Sequence, residues 1–158
     1  MTELTQDELK RLFILDAESG VFYWVSGKRK GCLAGYMHHS GYVFIAINRK
    51  RYAAHRLAWL YTYGSLPAND LDHINGVKTD NRIENLRDVP RAVNSQNRRS
   101  AHKTNSTGYL GVSAKGNGFR ARIKLNGATT LIGTFKTPIE AHEAYLQVKR
   151  VMHVGNTL

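Results

Sequence analysis

A single cysteine, Cys32, excludes an internal disulfide and any zinc site built from several thiolates. Proline is scarce, at three residues, and the hydrophobic content of 42% is that of a folded chain rather than a Pro-rich disordered one. No apolar run approaches the roughly 20 residues that cross a bilayer. The opening "MTELTQDELK" carries acids where a secretory signal has a basic flank and an apolar run. The expectation is a soluble protein of a reducing, cytoplasmic compartment with no membrane partner. Acidic side chains are also few, 12 against 23 lysines and arginines, for a net charge of +11. The shortage is uneven. Residues 1–27 hold five acids and two bases, 28–56 seven bases and no acid, 57–100 six bases and five acids, and 101–158 eight bases and two acids. Two basic zones therefore flank a mixed segment, and a polyanion touching both would be drawn across it. Nucleic acid is the expected partner.

A chain of 158 residues suffices for one ordinary domain or two small ones with thin cores. Thr5 and Glu8 have capping-box spacing and predict a short helix through about Leu12, with Leu9, Leu12 and Phe13 on one face. The runs "GVFYWV" and "YVFIAI", and "RYAAHR" after the polar turn at Asn48 to Lys50, predict a small antiparallel sheet. "AAHRLAWLYTYG" then reads as a helix with Leu57, Leu60 and Tyr61 on one face and Gly64 as its stop. From Ser100 the stretch "SAHKTNST" is polar and without periodicity, which marks a linker. Beyond it, "YLGVSAK", "FRARIKL" and "TTLIGTF" predict three strands joined by "GNG" and by Asn126-Gly127. Thr137, Pro138 and Glu140 supply the cap, first-turn proline and capping-box acid of a helix carrying Ala141, Ala144, Tyr145 and Val148 at helical spacing.

Strict alternation in "FRARIKL" sends Phe119, Ala121, Ile123 and Leu125 to one face and Arg120, Arg122 and Lys124 to the other. In "YLGVSAK" the same rule sends Leu110, Val112 and Ala114 inward and Tyr109, Ser113 and Lys115 outward. A basic sheet face of this kind fits the major groove, where arginine grips guanine and lysine neutralises phosphate. Residues 107–150, with "GYLGV", "ARIKLNG", "LIGTF" and "EAHEAY", resemble the DNA-binding domain of plant ethylene-responsive (Apetala-type) transcription factors, which also occurs fused to phage and mobile-element nucleases. The resemblance implies that the sheet enters the major groove, with Ser113, Lys115, Arg122 and Lys124 at matching positions.

The mixed segment contains "LDHINGVKTDNRIENLR", residues 71–87. Phosphodiester hydrolysis needs a base for the attacking water and a cation at the scissile phosphate. His73 suits the first task, since an unperturbed imidazole titrates near ~6.5. Asp72 supplies a carboxylate for magnesium, which prefers oxygen ligands and keeps several waters. The accompanying amide oxygen is open among Asn81, Asn85, Asn94 and Asn97. In "PRAVNSQNRR", Pro90 reads as a first helical residue, and Asn94 and Asn97 then lie three apart on one face. Asn75-Gly76 is expected as a type I′ turn. The alternating acids and terminal glutamate of an EF-hand calcium loop are missing.

This β-β-α arrangement resembles the HNH homing-endonuclease family through "AHRLAWLY", "LDHINGVKTDNRIENLR" and "RAVNSQNRR". The resemblance implies His73 as general base, Asp72 and Asn94 as metal ligands, and Asn85 as the residue that braces the loop and orients His73. His55, which also matches, is read as structural. Arg87, Arg91, Arg98 and Arg99 are expected at phosphates, with Ser113, Lys115, Arg120, Arg122 and Lys124 as the DNA-binding set of the second sheet.

The expected fold class is α+β, divided into an N-terminal helix and β-rich extension (1–53), a ββα-metal nuclease core (54–99), a linker (100–106), a three-stranded antiparallel sheet packed on one helix (107–150) and a tail (151–158). The expected function is that of a metal-dependent HNH DNA endonuclease of phage or mobile-element homing type. It would hydrolyse phosphodiester bonds of double-stranded DNA with one Mg (or Mn) ion, as a monomer or homodimer. The alternative is a non-catalytic, sequence-specific DNA-binding protein that keeps the ββα scaffold. An RNA-binding module is less consistent, because the aromatic strand signature of such modules is absent.

Overall fold

The Thr5 hydroxyl accepts the Glu8 amide at 3.2 Å and caps helix α1 (Gln6–Leu12) in a computed structural model that describes residues 4–157. Residues 1–3 and 158, which fall in the expected first and last segments, lie outside the described residues. The helix ends at Leu12, where the sequence placed its end, and Phe13, read as part of its apolar face, lies just beyond it. Phe13 opens strand β1 (Phe13–Asp16), which pairs antiparallel with β2 (Val21–Trp24). Its ring lies 4.5 Å from that of Trp24, its partner across the ladder, and is fully buried. Burying that aromatic pair outweighs one further helical residue.

Strands β3 (Tyr36–Met37), β4 (Val43–Ile47) and β5 (Lys50–Ala53) form an antiparallel sheet in that order. The β4–β5 loop is the two residues Asn48 and Arg49, at φ 48° and 64°, the backbone of a type I′ turn whose twist suits a hairpin. Helix α2 (Ala54–Tyr63) follows β5 directly and stops at Gly64, whose φ of 79° lets its amide reach back to the Leu60 carbonyl. Leu57 and Leu60 of α2 join Leu9, Phe13, Phe22, Ile45 and Ile47 in one core, which also takes Leu71 and Leu86. The last two come from a two-stranded ribbon, β6 (Asp70–His73) and β7 (Leu86–Val89).

The chain divides into two units between Arg91 and Ala92. Helix α3 (Arg91–Gln96) starts at that division, so all but its first residue belongs to the second unit. There, β8 (Val112–Lys115), β9 (Gly118–Leu125) and β10 (Ala128–Phe135) form the expected antiparallel sheet, with β9 central. Helix α4 (Pro138–Met152) carries a complete capping box, Thr137 and Glu140 each bonding the other's backbone amide. Ala121 and Ile123 are buried against Ala141 and Tyr145, while Arg122 and Lys124 are exposed. The alternation fails at the start of β8. Tyr109 and Leu110 lie in a turn before the strand and both pack on the core, so Tyr109 does not face outward, and Ala114 is exposed. The class is α+β.

After α4 the chain returns to α3. The Gly155 amide donates to Gln96 Oε1 at 2.9 Å, Thr157 Oγ1 bonds Asn97 Oδ1, and Arg99 donates to the Thr157 carbonyl at 3.0 Å. The Lys149 ammonium, 1% exposed, donates to the Arg98 carbonyl. Burial, then the neighbouring Arg99 charge, lowers its pKa. At Gly111, φ is +79° and a Cβ would fall 2.1 Å from the Tyr145 ring. Gly111→Ala is therefore expected to destabilise the second unit by about 2–4 kcal/mol, from overpacking and left-handed strain together. Thermal unfolding would show it as a clearly lowered transition, and an unchanged one would contradict the packing described.

Candidate active site

Each strand of the β6–β7 ribbon is four residues long, and the register sets Asp72 opposite Arg87 and His73 opposite Leu86. Successive residues point to opposite faces, so the carboxylate and the imidazole are separated although adjacent in sequence. On one face, Arg87 Nε and Nη2 both donate to Asp72 Oδ2, at 2.9 and 2.7 Å. This is a cross-strand pair in which the guanidinium expected at a phosphate holds the carboxylate instead. On the other face His73, 4% exposed, enters a cluster of rings. Its centroid lies 5.1 Å from that of His55 on α2 and 5.9 Å from that of Tyr42.

His73 Nε2 lies 3.2 Å from Asn81 Oδ1. A carbonyl oxygen only accepts, so Nε2 carries the hydrogen and the lone pair of the neutral ring is at Nδ1. Burial lowers the His73 pKa, against the raising influence of the Asn81 bond and of Asp72 and Asp80. The ring is thereby kept in its basic form at neutral pH. His55 is driven lower still, to about 4, first by burial and then by His73 and Arg56. Its Nδ1 is buried with no hydrogen-bond partner among the described residues.

The loop between the strands is held by its own amides. Asn85 donates through Nδ2 to the Asp80 carbonyl at 2.8 Å and accepts the Asn75 amide at 3.0 Å. Asn75 Nδ2 donates to Asp80 Oδ2 at 2.7 Å, and Arg82 grips both oxygens of the same carboxylate. Those Arg82 bonds lead the influences that lower the Asp80 pKa to about 2. Asn75-Gly76 is not the expected type I′ turn. The Gly76 amide closes on the His73 carbonyl at 2.9 Å and Gly76 alone of the two has positive φ, because the Asn75 side chain is committed to the Val77 amide and to Asp80.

The residues implied by resemblance thus fall in two groups. Asp72, His73, Asn85 and Arg87 are in the first unit, together with Asn81, which sequence reasoning offered only as one of four amide ligands. Asn94 lies on α3 in the second unit, and Arg98 and Arg99 in the segment after it; Arg91 is the exposed first residue of that helix. Of the outward set on the second sheet, Lys115, Arg122 and Lys124 are exposed, Arg122 donates to Ser113 Oγ at 3.1 Å, and Arg120 is half-buried. Among the described residues no group of three or more His, Cys, Asp or Glu side chains could hold a metal. A donor set of one carboxylate and one amide suits a hard ion that keeps its waters and takes phosphate oxygens, as magnesium or manganese does, and does not suit zinc.

Gly20, in the β1–β2 turn, escaped sequence reasoning. Its φ is +69°, and a Cβ there would lie 2.3 Å from the Arg82 nitrogen and 2.4 Å from the Asn81 carbonyl carbon. Gly20→Ala is expected to push Asn81 away from His73, seen as shifted His73 ring resonances together with a lowered melting temperature. For His55, the unfolded ring titrates near ~6.5 and the folded one near about 4. Between those values the unfolded state binds the extra proton, so stability is full above about 6.5 and falls by up to about 3 kcal/mol as pH drops to about 4. Urea midpoints at pH 7 and 4.5 should differ for the parent and differ by clearly less for His55→Phe, His73 keeping its own share of the dependence.

No curated protein and no solved structure matches the chain. Residues 52–96, from β5 through α3, match the model of a family described as HNH endonuclease.

Proposed function

We propose that the protein is a metal-dependent endonuclease that hydrolyses phosphodiester bonds of double-stranded DNA, of the homing type found in phage and mobile elements. The observation that carries the reading is a buried, neutral histidine, His73, oriented by Asn81 and next in sequence to Asp72, whose carboxylate lies on the opposite face of the ribbon, within a segment that matches the HNH endonuclease model. In this mechanism the neutral His73 ring takes a proton at Nδ1 from the water whose oxygen bonds to phosphorus, and the bond from phosphorus to the 3′ oxygen breaks, leaving a 5′-phosphate and a 3′ oxygen that takes its proton from solvent. Asn81 fixes the tautomer by accepting from Nε2. Asn85 acts through the loop, whose ends it ties together. Asp72, oriented by Arg87, and Asn94 are the oxygen donors assigned to one Mg or Mn ion. When bound, that ion neutralises charge on the phosphate and the departing oxygen. Arg91, Arg98 and Arg99 are assigned to flanking phosphates.

The second unit is assigned to DNA positioning in the major groove, as in the plant ethylene-responsive factors, through Ser113, Lys115, Arg120, Arg122 and Lys124. The exposed cations of β9 support this. The enzyme is placed in the cytoplasm, as a monomer or homodimer on DNA. The occupied Asp72–Arg87 pair also suits a non-catalytic DNA-binding protein that retains the scaffold, and the two readings part on cleavage.

His73→Ala should reduce the cleavage rate by about 10²–10⁴-fold, the usual worth of a general base, while duplex binding persists. EDTA should abolish cutting by the parent and spare binding. Because the lowered pKa leaves the ring neutral further into acid, cleavage should rise with pH through a limb that lies below ~6.5. A protein that never cuts genomic DNA with Mg or Mn would favour the scaffold reading.

A further inference from the structure

Residues 28–69 contain no aspartate or glutamate, and the outward face of the β3–β4–β5 sheet lies within that stretch. Along β4 the buried Ile45 and Ile47 alternate with Phe44 and Ala46, and Arg51 stands opposite Ala46. Phe44 and Arg51 therefore share the outer face. The His38 ring lies 3.9 Å from His39 and 4.9 Å from Phe44. The two contacts are tilted, at 37° and 54°, and Arg51 shares the face that Phe44 presents to them; desolvation, then His39 and Arg51, lowers the His38 pKa.

The stack connects to the histidine of the active site. Ser40 Oγ bonds His38 Nδ1 at 2.8 Å, and the Ser40 carbonyl accepts the Lys78 ammonium at 2.9 Å. The same ammonium sits 4.7 Å over the Tyr42 ring, which is 5.9 Å from His73. Rings and cations thus run from His73 over Tyr42 and Lys78 to the His38–His39 stack, Phe44 and Arg51. Carboxylates approach at the two ends: Asp72 and Asp80 act on His73, and Glu8 accepts from Asn48 at the tip of the β4–β5 hairpin.

We propose that this line is a binding track for a DNA strand leaving the cleavage site, with Lys78 and Arg51 at phosphates and the His38–His39–Phe44 stack against a sugar or an unstacked base. Cations neutralise the backbone, and every base offers a face to an aromatic ring. The direction of the track, outward from His73, rests on the nuclease reading, whereas its affinity for DNA does not.

The test is equilibrium binding of a duplex oligonucleotide in EDTA across a salt series. Each neutralised phosphate contributes about 0.9 to the slope of log affinity against log salt, so Lys78→Gln with Arg51→Gln should flatten the parent slope by about 1.8. Arg51→Gln alone, at an exposed position, should flatten it by about 0.9. His39→Ala should weaken binding roughly tenfold at every salt concentration without changing the slope. A double variant with the parent slope overturns the track and leaves the nuclease reading standing. Flattening in the double variant of a parent that never cuts DNA with Mg or Mn overturns the nuclease reading and leaves the track standing.

Discussion

A ribbon of two four-residue strands carries the site, and a two-stranded sheet of that size is not stable in water on its own. Everything around it supplies what it lacks. Leu71 and Leu86 anchor it in the first core, α2 covers the His73 face, and the Arg87–Asp72 pair joins the strands on the other. The loop between the strands would add entropy to the unfolded chain. Asn75, Asp80, Arg82 and Asn85 close it with side-chain bonds that need no further secondary structure.

Much of the second unit was legible because local signals agree there with tertiary need. The alternation of β9, the Asn126-Gly127 turn and the Thr137–Glu140 capping box each act over a few residues. The site was legible in its residue types and less so in its contacts. His73 and Asp72 announce themselves by chemistry, but which amide meets the imidazole depends on how a twelve-residue loop folds, and Asn81 carries no local mark of that. Gly20 was invisible for the same reason: what forbids a side chain there is the backbone of residues sixty positions away. The Asn75-Gly76 turn was misread because dipeptide preference yields when an asparagine side chain has two partners to satisfy.

The histidine cluster shows how burial sets protonation without any change of residue type. His55 and His73 share a ring contact and both are pushed toward neutrality, yet among the described residues only His73 has an amide oxygen to fix its tautomer. Two charged imidazoles at that separation would repel within a poorly solvated space, so a proton on either discourages one on the other. The His55 ring packs edge-on against its neighbour and contributes to that burial.

Helix α3 changes how the family-matching segment is to be regarded. The match ends at residue 96, but Gln96, Asn97, Arg98 and Arg99 are bonded to residues 149–157 far along the chain. Residues 52–96 are therefore not a cassette that could be moved whole into another protein: the last helix of the segment would leave behind the partners that seat it. Any recombination that exchanges the second unit must carry its junction upstream of α3, or bring a replacement clasp for the helix.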